Sequence, residues 1–162
     1  MRPKIPTSLL LAFRAVYAMT ASPAMATPSP TTTASCATSP GQTILAITVK
    51  GVHSSKGNVT ITIYPGIAKR FLAPHAKLSR VRLPAASVVH ACMTVPQSGD
   101  YAIAIYHDEN NDHDFNRTFI GLPAEGYGFS NDAPAVAGLP SYNAAKFTAH
   151  DGVNPLTITM RY

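Results

Sequence analysis

Alternation of apolar and polar residues begins at Ile44. Leu45, Ile47 and Val49 alternate with Ala46, Thr48 and Lys50, the period of a half-buried strand. Gly51 to Gly57 is a turn-rich break. From Asn58 to Tyr64 the pattern resumes, with Val59, Ile61 and Ile63 on one face and Asn58, Thr60 and Thr62 on the other. The short polar break between the two runs predicts a hairpin, and Pro65-Gly66 ends its second strand. Ile67 to Leu72 fits either a helical turn or an irregular edge. Leu78 to Leu83 predicts a short strand with Val81 and Leu83 inward, stopped by Pro84. Ser87 to Val95 predicts another. Tyr101 to Tyr106 is apolar at successive positions, as in a central strand covered on both faces. Ser141 can N-cap a two-turn helix running to Phe147, because its hydroxyl can accept a free backbone N–H. The chain then closes with Leu156, Ile158, Met160 and Tyr162 alternating with Thr157, Thr159 and Arg161. Six strands, one short helix before the last strand and Pro/Gly punctuation predict an all-β domain over 43–162, built as an antiparallel β-sandwich.

The first 42 residues fall outside that pattern. Arg2 and Lys4 precede an apolar run that starts at Leu9, and Ala24-Met25-Ala26 has the form of an A-x-A cleavage signal. Residues 1–26 read as a signal peptide, and 27–42 as a linker rich in Ser, Thr, Pro and Ala. The expected location is therefore periplasmic or secreted, with no membrane span after cleavage. In an oxidising compartment, Cys36 and Cys92 are expected to pair as a disulfide.

Export also changes the charge. Three basic residues (Arg2, Lys4 and Arg14) lie in the leader, so the formal charge falls from +5 to +2 (5 − 3). Lys50, Lys56, Lys69, Arg70, Lys77, Arg80 and Arg82 form a basic half without an acid among them. From Asp100 to Asp132 the sign reverses, with Arg117 the one cation. Such asymmetry can mark a partner-binding face or a solvated surface. Nucleic-acid binding is not expected, since basic and aromatic residues are not interleaved in a recognisable module.

The stretch from His107 to Asp132 holds six of the eight acidic residues and directly follows the central strand. Within it Asp108, Asn110, Asp112 and Asn116 stand at positions 1, 3, 5 and 9 of a D-x-N-x-D-x-x-x-N array, with Asp114 at position 7. Alternate spacing lets side-chain oxygens converge where the backbone curls, and Ca²⁺ takes six to eight such oxygens. We expect these five residues to hold Ca²⁺. The loop departs from the EF-hand pattern: His113 stands at the turn glycine, Phe119 at the closing glutamate, and no helices flank it, so Glu109 or Glu125 would have to close it. Two other readings stay open. Asp and Asn also favour solvated turns, although crowded carboxylates repel without a cation. Convergence of His107 with His113 would favour Zn²⁺ or Cu²⁺.

The run HDENNDHDFNRTFIGLPAEGYGFSND resembles the signature of the DUF2141 family, small exported bacterial proteins of undefined function. The resemblance rests on His107, Asp108, Glu109 and Asn110, then on Phe119, Gly121, Pro123, Glu125, Gly126, Gly128, Phe129, Ser130 and Asn131. Asn111 and His113 replace glycines of that pattern and Asn116 replaces an aspartate, which bears on metal affinity more than on the fold. A weaker similarity extends from about Thr43 to the C-terminus. It implies a transthyretin-like or prealbumin-like sandwich of the immunoglobulin-like kind and implies no activity.

Glu125, Tyr127, Phe129, Ser130 and Asn131 form a second feature, in which two glycines bracket an aromatic residue. They can make a ligand-contacting loop. Alternatively, Phe129 plugs one end of the sandwich and the glycines serve turn geometry. No catalytic set stands out: Ser130 lacks the G-x-S-x-G elbow, and His107 and Asp108 are neighbours on a strand, which point to opposite faces. The residues favour an exported non-catalytic β-sandwich whose Ca²⁺-stabilised loop supports a binding surface for an envelope protein or a small ligand. The alternatives are a metal-dependent hydrolase of a cell-envelope substrate, using Asp108, Asp112 and His107, and a structural subunit that adds its edge strand to an envelope assembly.

Overall fold

The computed structural model describes residues 36–37, 39–135 and 139–162. The expected signal peptide 1–26 and most of the expected linker 27–42 lie outside the described residues. The elements are β1 (Thr43–Lys50), β2 (Asn58–Pro65), β3 (Ser79–Pro84), β4 (Val88–Val95), β5 (Gly99–Asp108), β6 (Tyr127–Phe129), α1 (Tyr142–Ala145), β7 (Phe147–Ala149) and β8 (Gly152–Thr159). Among the described residues no helix is long and apolar enough to cross a membrane.

The strands form a sandwich of two sheets. One has the order β4-β1-β8. The other has β3-β2-β5-β6, with β7 added beside the start of β5. All pairings are antiparallel except β1 with β8, which run parallel. The alternation seen in the sequence places Leu45, Ile47, Val49 and Ile158 of one sheet against Val59, Ile61, Ile63, Ile103 and Ile105 of the other, all nearly inaccessible. Each such side chain contributes about 1.5–3 kcal/mol of apolar burial.

The expected hairpin between β1 and β2 is not there. The two strands belong to different sheets, and the 51–57 break carries the chain from one layer to the other. Alternation reports which face of a strand is buried. It cannot say whether the next strand lies beside it or across the core, and here the two apolar faces meet across the core. The break is tightly seated: Gly57 has φ of +67°, and a Cβ there would fall on the backbone carbonyl of Asp108.

β5 is covered on both faces, as its composition suggests. Its outer face, away from the sandwich interior, carries a second apolar cluster in which Ala102, Phe129, Ala133 and Ala145 are buried under Phe71, Leu72 and Tyr142. The helix is one turn rather than two. Ser141 caps it, its side chain accepting from the Ala144 N–H at 3.2 Å, and Phe147 has already entered β7. The final strand starts at Gly152 instead of Leu156 and includes Pro155. An edge position tolerates Pro155, because one side of β8 needs no ladder donor. Cys36 and Cys92 are joined in a disulfide, with Cα atoms 5.6 Å apart.

Candidate functional site

β5 ends with His107 and Asp108, both wholly buried. Strand alternation sends their side chains to opposite faces. His107 continues the inward row of Ile103 and Ile105 to the end of the sandwich, whereas Asp108 continues the outer row of Ala104 and Tyr106 into the acidic loop.

In that loop Asp108 Oδ2 accepts the His113 N–H at 3.0 Å. Its Oδ1 is buried without a hydrogen-bond partner. Asp112 is the hub of the rest. Its carboxylate accepts from the side-chain amides of Asn110 and Asn116, each at 2.8 Å, and from the Asp114 N–H at 2.9 Å. These bonds, with Asn116 first, hold its pKa below the usual carboxylate range. Asn110 Oδ1 in turn accepts the Asp112 N–H at 3.2 Å. Asp114 is exposed and joins the network through its backbone. The backbone takes left-handed conformations at Asn111 and His113, with φ of 60° and 69°.

Glu125 lies against this group although it is distant in sequence. It is buried, and its Oε2 accepts the Asn116 N–H at 3.0 Å. Burial raises its pKa, and the charges of Asp108 and Asp112 raise it further. Asp108 and Asp112 thus both act on Glu125; Asp108 has an orphaned oxygen and Glu125 a disfavoured charge. A hard cation would relieve both penalties. Asn110 Oδ1 and the carbonyl oxygens nearby are ligands of the same kind.

His107 and His113, whose convergence would have favoured a transition metal, serve different clusters. His113 contributes its backbone: its N–H to Asp108, and its carbonyl to the Tyr106 hydroxyl at 3.0 Å and Arg82 at 3.4 Å. His107 instead meets His53 and Glu109. His53, in the crossover between the sheets, carried no signal in the sequence.

The Glu125 to Asn131 segment has mixed duties. Tyr127 and Phe129 belong to β6, whose register pairs Ala104 with Phe129 and Tyr106 with Tyr127. Ser130 is buried. Its hydroxyl accepts the Ile103 N–H at 2.9 Å and donates to the Ala145 carbonyl. Asn131 donates to the Lys146 carbonyl at 2.7 Å. These two residues tie β6 to α1. The bracketing glycines do not make the expected turns. Neither takes a positive φ; each is glycine because a neighbour comes close, the Tyr162 ring at Gly126 and the Thr159 carbonyl at Gly128. Phe129 packs on the outer face of the larger sheet rather than plugging an end of the sandwich.

Beside the acidic loop, the outer face of the larger sheet forms the floor of a cavity of about 650 Å³. Tyr64, Tyr106, Tyr127 and Phe129 line it from the strands, and the segment from Phe115 to Pro123 overhangs it. Phe115 stacks edge-on against Tyr106 and Tyr127, at centroid distances of 5.7 and 6.3 Å. Two arginines reach the wall. Arg80 donates to Thr62 Oγ1 at 2.9 Å, and Arg117 lies over the Phe115 ring at 5.1 Å. Sequence reading missed this cavity, although the pattern held a clue. Tyr64, Arg80 and Tyr106 occupy outward strand positions, and two of them are bulky aromatics.

Residues 47–157 match the model of a family described as uncharacterized proteins conserved in bacteria, DUF2141. No curated protein and no solved structure gives a match. The family match spans well over half of the chain and includes the acidic loop, the cavity walls and most of both sheets, so the chain belongs to the DUF2141 family.

Proposed function

We propose that this chain is an exported, non-catalytic binding protein. Its outer-face cavity takes a small molecule with an apolar or aromatic body and an anionic group, and a Ca²⁺ ion in the adjacent loop fixes the cavity's roof. The observation that carries the reading is the cavity itself. Its volume of about 650 Å³ falls within the size range of small-molecule sites, and its lining of aromatic side chains with a few placed polar groups is typical of them. Arg80 and Arg117 supply the complement to an anion.

The Ca²⁺ part rests on the orphaned Asp108 Oδ1 and on the disfavoured charge of Glu125 beside it. The same loop reaches the cavity within a few residues: Tyr106 holds the His113 carbonyl, and Phe115 and Arg117 overhang the floor. Organising the loop therefore organises the roof. Asp108, Asn110, Asp112, Asp114 and Asn116 remain the proposed ligands, with Glu125 closing the site.

The test is a titration with the fluorescent anion anilinonaphthalene sulfonate, with Ca²⁺ and with chelator. We expect saturable one-to-one binding that tightens with Ca²⁺ and weakens in Arg117→Ala and Tyr127→Ala. Absence of saturable binding, or binding indifferent to both substitutions, overturns the cavity reading. A Ca²⁺ dependence that survives Asp108→Ala overturns the loop's part in it.

A further inference from the structure

At the opposite face of the end of β5, His107 meets His53 and Glu109, and one ligand atom from each lies within 4.8 Å of the other two. We propose that these three side chains bind a divalent transition-metal ion of the Zn²⁺ type, at a site separate from the acidic loop. The tautomer of His107 carries the inference furthest. Its Nε2 lies 2.7 Å from the Lys56 carbonyl, which can only accept, so Nε2 bears the proton. Its Nδ1 lies 2.7 Å from the Tyr162 hydroxyl. That hydroxyl accepts the His53 backbone N–H at 3.1 Å, so its own proton is free to point at Nδ1. The same Nδ1 lies 3.6 Å from Glu109 Oε1. A ring nitrogen held by a backbone carbonyl is the usual support for a metal-ligating histidine, and an ion at Nδ1 would displace the Tyr162 hydroxyl from it.

The other two ligands complete a cup open on one side. His53 Nε2 lies 2.6 Å from Glu109 Oε1, and both side chains are partly exposed, so an ion can enter from solvent. The His53 ring stacks on Tyr162 with centroids 3.6 Å apart, which fixes its orientation. Zn–N and Zn–O bonds of about 2.0–2.1 Å set tetrahedral ligand atoms about 3.3 Å apart. The separations of 2.6 and 3.6 Å lie on either side of that value and the third is within 4.8 Å, so the partly exposed His53 and Glu109 side chains shift to admit the ion. Two imidazoles and one carboxylate suit Zn²⁺ or Cu²⁺ and are a poor set for Ca²⁺. The Tyr162 hydroxyl or a water supplies the fourth position.

Isothermal titration of the tag-free protein with Zn²⁺ alone tests the site, with Co²⁺ absorption reading the geometry. We expect one equivalent of Zn²⁺, a visible Co²⁺ band of four-coordinate intensity, and a loss of affinity of at least about tenfold in both His53→Ala and Glu109→Gln. Both positions are partly exposed, so these variants should fold; a circular dichroism spectrum checks that they do. Asp112→Asn should leave Zn²⁺ binding unchanged. No saturable binding to the parent protein overturns the proposal. So does binding that persists in both folded variants, which would place the ion on His75, His90, His113 or His150, or binding lost in Asp112→Asn alone, which would place it in the acidic loop.

Discussion

His107 and Asp108 are consecutive, equally inaccessible, and belong to different sites. The side chain of His107 meets Tyr162 and Lys56 at the end of the sandwich. That of Asp108 holds the bend of the acidic loop through the His113 N–H. One strand terminus thereby anchors two clusters of opposite chemical preference, nitrogen-rich on one face and oxygen-rich on the other.

Calcium should stabilise the protein through Asp108. In a thermal-shift measurement, Ca²⁺ raises the melting temperature of the parent and leaves Asp108→Ala where it was. An equal shift in the two proteins would remove Asp108 from the ion's shell.

Glu125 should make stability fall as pH rises. Its folded-state pKa is raised, chiefly by burial, so above its ordinary value near 4.5 the folded state binds more protons than the unfolded one. Stability then declines from that pH up to the raised value. Glu125→Gln keeps an acceptor for the Asn116 N–H and removes the charge. Urea unfolding in chelator should show a flatter pH profile for Glu125→Gln, whereas in Ca²⁺ the parent's decline should disappear. A parent profile flat across that window, without cation, would count against the buried carboxylate.

Ser130 should matter to folding and not to binding. Ser130→Ala leaves the Ile103 N–H and the Ala145 carbonyl without their shared partner. The expected cost is about 1–3 kcal/mol by denaturant unfolding. Affinity for the anilinonaphthalene anion should be unchanged. A loss of binding without a loss of stability would make Ser130 a ligand contact instead.

The disulfide closes a loop with a sequence separation of 56. Replacing Cys36 and Cys92 together by serine should lower stability by about 4 kcal/mol in the chain-entropy model. Unfolding of the double variant beside the oxidised parent measures it.

Much of the domain was legible in the residues alone. The period-two runs of β1, β2 and β4, and the second half of β8, were legible because burying one face of a strand forces every second residue to be apolar. The doubly apolar composition of β5 likewise required cover on both sides, and the D-x-N-x-D spacing marked the loop as a place where oxygens gather. These properties are local: each is decided within a few residues by backbone geometry and by the cost of burying polar groups. What only the tertiary structure decided is which distant segments meet. Alternation cannot tell a partner beside a strand from one across the core, and β1 and β2, whose spacing predicts a hairpin, lie in different sheets. The nine-residue gap from Asn116 to Glu125, the crossover that brings His53 to His107, and the overhang of Phe115 above Tyr106 and Tyr127 have no periodic signature. They depend on the path of the chain between elements, and the free energy selecting that path is spread over the whole packed core rather than written in any one stretch.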